Sequence, residues 1–465
     1  MRECRPDGLG RQMDEDVTRT RPSGTPWTLQ IVLSLLLSAV ILLRLVARWR
    51  DVDQRLYWEY GGRILGRAHT TGFVEWMQHR VGGFAPATAA HVASSPLAPY
   101  TQFPCEYPPG VLLVFASVRA LAEPLSSFTL VFDIFSASCG FATAVLSIAI
   151  IGERWAAPRW ATILMVSFVA LWAQLIGSFS VTRFDTIAVF FVALGLFAAN
   201  RRFFIGAGIA LGLAASIKLW PAIVVPFVAV WLWRTNTKRA TGTFVMFSII
   251  GFALPHLWCI AIGTRPTDVL AYLTYLGERP IQVESLTANL MVVYSWVSGL
   301  PITSSFDFGS WNVAFSFDRT VLSIASLLNA LGLVALGLST IVLTRRPADR
   351  EDMLIACVCL AGAAVAVTML TSRVFSGEYL IWLLPFVVIA CRTSLGGLAC
   401  VFLGVAMLSL KALYRLDING LTAAATLVCL FKNVCVGAVS VLLAKAAWNI
   451  VKPDCPGDGT ISARP

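Results

Sequence analysis

Apolar runs recur along the whole chain, separated by short basic turns and by two long polar stretches. A helix needs about 20 residues to cross the roughly 30 Å hydrocarbon core of a bilayer. About twelve runs approach that length, with limits near 27–47, 127–151, 160–178, 184–199, 203–217, 219–233, 240–262, 320–343, 352–370, 379–391, 395–412 and 421–446. A run at 110–122 is shorter. This pattern predicts an all-α polytopic membrane protein with a transmembrane domain over 27–446, tails at 1–26 and 447–465, and long loops at about 49–126 and 263–319. The first run follows a polar head and lacks a small-residue cleavage site, so it is expected to be kept as a helix, with a disordered tail before it.

Composition agrees with the pattern. Of 465 residues 57% are hydrophobic and 13% charged, too apolar for a large soluble globule. The formal net charge of +10 is assigned to topology and not to nucleic acid. With the N-terminal tail in the cytoplasm, short loops on that side carry Arg154, Arg159, Arg201, Arg202, Arg234, Lys238, Arg239, Arg345, Arg346, Arg350 and Arg392, and the opposite ones only Arg183, Lys218, Arg373, Lys411 and Arg415. The positive-inside rule then places both termini in the cytoplasm, provided that 110–122 is re-entrant or lies along the interface. Both long loops face outward on this topology, as do the turns at 182–185, 217–221 and 373–379. The expected location is the cell membrane, multi-pass, with an extracytoplasmic active site. Most of the eleven cysteines are isolated in apolar runs and read as small hydrophobes. Cys357 and Cys359 lack metal-ligand spacing, and Cys105 has no evident disulfide partner.

The outward polar residues are the candidates for chemistry. Asp53, just after the first run, is placed to take a proton from a substrate hydroxyl, or simply to cap a helix. Asp51 is the reserve, and Asp51-Val52-Asp53 is by itself a weak metal signal. Tyr57 and Tyr60 share a face at helical spacing, suited to sugar or lipid packing or to ordinary interfacial anchoring. Glu106-Tyr107-Pro108-Pro109-Gly110 is a stiff extended block, read either as a frame that holds Glu106 and Tyr107 over a pocket or as loop punctuation. Lys218 is placed to hold a lipid phosphate, or to snorkel. Arg183 and Asp185 suggest a local ion pair or a charged patch, and Asp133, inside its run, a pairing or functional acid. Arg279, Gln282 and Glu284 fall in one turn before Ser285, which is also a plausible helix start, while Arg373, Glu378 and Tyr379 bracket another turn. Both groups supply donors for phosphate or sugar hydroxyls. No phosphate loop, Gly-x-Ser-x-Gly elbow, His-Glu-x-x-His or dinucleotide fingerprint is present, which argues against a nucleotide-driven pump.

Taken in order, Asp53 before Tyr57-Trp58-Glu59-Tyr60, the Glu106 to Gly110 block, Ile217-Lys218-Leu219-Trp220-Pro221, the stretch from Arg279 to Ser285 and that from Phe375 to Pro385 resemble glycosyltransferase family 87. The resemblance runs from about Arg50 to Lys432-Asn433 and rests on number and order, not on one motif. It implies a GT-C fold and an inverting transfer of a hexose, mannose in this family, from a polyprenyl-phosphate donor to an extracytoplasmic glycan or glycolipid acceptor. Such enzymes are best known from actinobacterial lipoglycan synthesis. It implies Asp53 as general base and donor phosphate on Lys218, Arg279 and Arg373; Tyr57, Glu106, Tyr107, Gln282, Glu284, Glu378 and Tyr379 are expected from their own positions to contact substrate. No cofactor or metal is called for, and the implied partners are donor, acceptor and membrane lipids. The sequence departs from the family where relatives have Ser-Pro-Gln-Tyr and this chain has Ser376-Gly377-Glu378-Tyr379, which bears on donor or acceptor preference. The competing class is a secondary transporter or lipid flippase, which calls for an inverted repeat that the chain does not display.

Overall fold

The computed structural model describes residues 26–46, 52–67, 96–151 and 158–451. Asp51, Arg80, Arg154 and most of both tails lie outside the described residues. The helices of the first half are α1 (Pro26–Leu45), α2 (Val52–Ile64), α3 (Pro109–Leu121), α4 (Leu125–Ile151), α5 (Arg159–Ile176), α6 (Asp185–Asn200), α7 (Phe204–Ile217), α8 (Val224–Thr235) and α9 (Lys238–Ala261). Next come α10 (Ala271–Glu278), β1 (Ile281–Gln282), α11 (Leu286–Ser298), β2 (Thr303–Asp307) and β3 (Ser310–Ala314). The chain finishes with α12 (Asp318–Leu343), α13 (Arg350–Thr371), α14 (Leu384–Ala390), α15 (Ser394–Leu413) and α16 (Ala423–Ile450).

All twelve apolar runs are helical, and they divide by length. Eight helices among the described residues, α1, α4, α5, α9, α12, α13, α15 and α16, are long and apolar enough to cross a membrane. The runs at 184–199, 203–217, 219–233 and 379–391 form the shorter apolar helices Asp185–Asn200, Phe204–Ile217, Trp220–Thr235 and Gly377–Ala390. At 1.5 Å per residue the 14 residues of α7 extend only about 21 Å, so its end stops short of a full crossing. The run at 110–122 is α3, whose 13 residues are likewise too few to cross. The chain is therefore an all-α, multi-pass membrane protein.

Two helices show how apolar content sorts by place. α13 is hydrophobic all round and its residues 353–366 are all buried, so it is the central helix. α12 is as apolar, yet only 6% of its best membrane window is buried, so its side chains face away from the protein. Asp133 on α4 is 1% exposed and accepts a 2.5 Å hydrogen bond from Gln54 Nε2, which ties α2 to the bundle and bears out the pairing expectation. At the far end of α3, Arg119 is fully buried, its guanidinium over Trp58, and both side chains donate to the Glu123 carbonyl.

The segment 263–319 is built, not merely looped. It holds α10, α11 and a small antiparallel sheet in the order β1-β3-β2. β2 and β3 meet at Phe308-Gly309, both left-handed (φ 49° and 69°), the two-residue turn whose twist suits a hairpin. Ser285 caps α11 by accepting from the Ala288 N–H, so the helix-start reading of that residue holds.

Candidate functional site

The site forms where interrupted helices end. Asp53 is in the first turn of α2 and Asp185 in the first turn of α6, where acids complement the positive end of a helix. Glu106 and Tyr107 precede α3, whose N-cap Pro108 is extended (φ −64°, ψ 156°) with Pro109 in the first helical position. A Cβ on Gly110 would lie 2.3 Å from Ser216 Oγ and 2.5 Å from the Ser216 carbonyl carbon. Only glycine lets the start of α3 touch the end of α7, and that contact brings Glu106 and Lys218 to one place. Lys218 leaves α7 extended (φ −150°, ψ 139°), ahead of a 3-10 turn at Trp220–Ile223.

These ends enclose a polar cavity of about 170 Å³. Asp53, Tyr57, Glu106, Tyr107, Lys218, Arg279, Gln282, Glu378 and Tyr379 line it, together with Arg183, Asp185, Tyr275, Ser376 and the hairpin tip Phe308-Gly309-Ser310. Glu284 and Arg373 do not. Tyr57 and Tyr60 are buried, and Tyr57 stacks on Phe115 at 4.3 Å, packing a wall instead of anchoring at an interface.

The charges pair differently from the sequence expectation. Arg183 does not pair with Asp185: its guanidinium forms an ion pair with Asp53. Asp185 is 1% exposed and its Oδ1 accepts from Lys218 Nζ and from Trp382 Nε1, both at 2.6 Å. The reason is distance along the fold, since separate helix ends present partners that sequence neighbours cannot face. Lys218 does not snorkel. Its ammonium lies 4.4 Å from the Tyr379 ring centre, 4.9 Å from Phe184 and 5.1 Å from Trp382. Burial works against its charge, but Asp185 first, then Tyr379 and Glu378, more than offset this and hold Lys218 above the ordinary lysine value.

Arg279 is in a different state. Its Nη2 donates to Ser310 Oγ at 3.0 Å and to the Phe308 carbonyl at 3.4 Å, it has no ion-pair partner among the described residues, and its Nε is buried without a hydrogen bond. Beside it, Gln282 Oε1 is also buried without a partner. Arg373 instead donates to the carbonyls of Gly277 (2.6 Å) and Arg279 (2.9 Å), while its own carbonyl accepts from the Gln282 N–H. It braces the wall that carries Arg279 and Gln282. Glu106 accepts a 2.5 Å hydrogen bond from the Tyr60 hydroxyl. Burial pushes its carboxyl above the usual range, opposed only in part by Tyr60 and the more distant Arg279. Burial likewise raises Glu284, against the pull of Lys432, whose Nζ is 3.3 Å from Glu284 Oε2. No group of three or more His, Cys, Asp or Glu that could hold a metal ion occurs among the described residues.

A larger groove of about 550 Å³ adjoins the cavity and shares Lys218, Arg279, Val374 and Tyr379 with it. Trp220, Ile223, Leu276, Leu322, Leu333, Met369 and Trp382 supply its apolar lining, and Arg373 stands at its edge. Tyr379, Trp382 and Trp220 stack along one side at 4.0 and 5.2 Å. α12, open to the surroundings, contributes the other side.

Sequence reading missed Tyr275, Trp382 and the hairpin tip as parts of the site. The only local sign of the tip was Gly309, since Thr303–Asp307 does not alternate and Phe-Gly is not a typical hairpin pair. Residues 106–292 match the family model of Glycosyltransferase family 87. No curated protein matches the chain.

Proposed function

Over residues 106–292 this chain is a member of glycosyltransferase family 87, a multi-pass membrane glycosyltransferase, and from that premise we propose how it works. It transfers a hexose, mannose, with inversion from a polyprenyl-phosphate donor to an outward-facing glycan or glycolipid. The observation that carries this reading is the junction of cavity and groove at Lys218, Arg279 and Tyr379. A small polar chamber suits a sugar, an apolar groove beside it suits a lipid chain, and cations at the junction suit the phosphate between them.

In the transfer, Asp53 takes the proton of the acceptor hydroxyl as that oxygen bonds to the anomeric carbon. The bond from that carbon to the phosphate oxygen breaks, and polyprenyl phosphate leaves with one more negative charge. Arg279, which has no carboxylate partner among the described residues, is the better placed of the cations to meet that charge. Lys218 is already committed to Asp185 and shapes the junction. Arg183 holds Asp53 in place until the acceptor arrives. The phosphate of the donor is the leaving group, so no nucleotide enters the reaction.

Purified protein in liposomes, given a radiolabelled polyprenyl-phosphate hexose and a glycolipid acceptor, tests the proposal. We expect sugar incorporation, highest with mannose, and a loss on the order of 10²–10⁴-fold in Asp53→Asn with insertion unchanged. Full turnover in that variant removes Asp53 as base. Uptake of donor without a covalent product would instead indicate a transporter or flippase.

A further inference from the structure

We infer that Lys432, on membrane helix α16, is a positioning residue that sets the polar wall of the cavity from behind; this rests on the transferase reading above. Lys432 is fully buried in α16, where an uncompensated ammonium is costly and an apolar side chain would fill the space more cheaply. Its Nζ reaches both the backbone carbonyl and Oε2 of Glu284, each at 3.3 Å. Asn433 adds Nδ2 to the Glu284 carbonyl at 3.4 Å and to Asn289 Oδ1 at 2.9 Å, and Asn289 in turn donates to the Val283 carbonyl at 2.9 Å. The same ammonium lies 4.3 Å from the centre of the Phe375 ring.

Those two contacts fall on the two chain segments that form this wall. Glu284 follows Gln282 by two residues, and Phe375 precedes Glu378 by three and stacks against Tyr379 at 6.3 Å. The segments also meet at Arg373, whose Nη1 donates to the Gly277 and Arg279 carbonyls and whose own carbonyl accepts from the Gln282 N–H, and on the Glu284–Phe375 side their mutual placement rests on a group that touches both. Lys432 is that group. It touches nothing in the cavity itself and acts through Gln282 on one side and Glu378 and Tyr379 on the other.

The test uses the full-length protein in liposomes with Lys432→Met, and with the double variant Lys432→Met/Glu284→Gln, which leaves no unpaired buried charge if the single variant fails to insert. Amide hydrogen exchange is read first, without any substrate. We expect segments 281–285 and 373–379 to gain exchange together while α13 and α15 keep wild-type protection; unchanged exchange in both segments, or a general loss of protection, overturns the inference. This readout stands even if the wild type transfers no sugar, an outcome that would defeat the transferase reading alone. Where turnover is present, kcat/KM is expected to fall on the order of 10²-fold. Gln282→Ala should then cost much less in the Lys432→Met background than in the wild type. Equal cost in both backgrounds means that Lys432 does not act through Gln282 and overturns the inference as well.

Discussion

Asp53 and Glu106 face one cavity in opposite surroundings. Asp53 meets the Arg183 guanidinium, and Glu106 meets the Tyr60 phenol. On the proposed mechanism two carboxyls so placed divide the work of the site, one serving as base and the other reading a hydroxyl. Burial raises Glu106, so the folded protein holds its proton at pH values where the unfolded chain has lost it. The folded state then binds more protons, and stability falls as pH rises. The contribution is fully present below the ordinary carboxylate value and is lost as pH climbs through the raised one. Glu106→Gln is expected to abolish that decline, seen as a flatter melting temperature against pH in detergent, and to keep most of the turnover. Glu106→Ala should lose about 10²-fold in turnover, the lower end of what one positioned group contributes. A pH slope identical to wild type in Glu106→Gln would show that the residue is ionised throughout.

The decisive elements are the shorter apolar helices. The ends of α6, α7 and the helix Gly377–Ala390 deliver Asp185, Lys218 and Glu378 to one chamber. The hairpin β2–β3 completes it, since its tip holds Arg279 through Phe308 and Ser310. Gly309 sits at φ 69°, where a β-branched residue costs about 1–3 kcal/mol of strain. Gly309→Val is therefore expected to raise the donor KM to about the level seen in Arg279→Gln, with α-helical content by circular dichroism unchanged. A normal KM would detach the hairpin from donor binding. The apolar helices of the bundle were legible from apolar runs, because burial in lipid or core demands long apolar stretches, whereas α10 and α11 lie in what reads as a loop. The strands were not legible, because three short segments of mixed polarity carry a weak period and pair across distance in the sequence.

For the whole molecule, one end of the bundle carries the cavity, and on the topology proposed from the charge pattern that end faces outside the cell. Reporter fusions after Gly263 and after Arg202 should show the first outside and the second in the cytoplasm. The reverse result would move the site to the cytoplasmic face and exclude an extracytoplasmic acceptor.

By itself the sequence determined the membrane class, the apolar helices of the bundle and most of the polar residues that meet in the cavity. These follow from local hydrophobicity and loop charge, quantities that any stretch of about 20 residues carries within itself. Tertiary structure alone decided the pairings. It set Arg183 on Asp53 and Lys218 on Asp185, turned Arg279 to Ser310 and Arg373 into a brace, and drew Glu284 back onto Lys432. Lys218 and Asp185 are 33 positions apart, and Lys432 and Glu284 are 148 apart. An ion pair depends on a few ångströms of side-chain distance, which no local pattern encodes and only the packing of helix ends supplies.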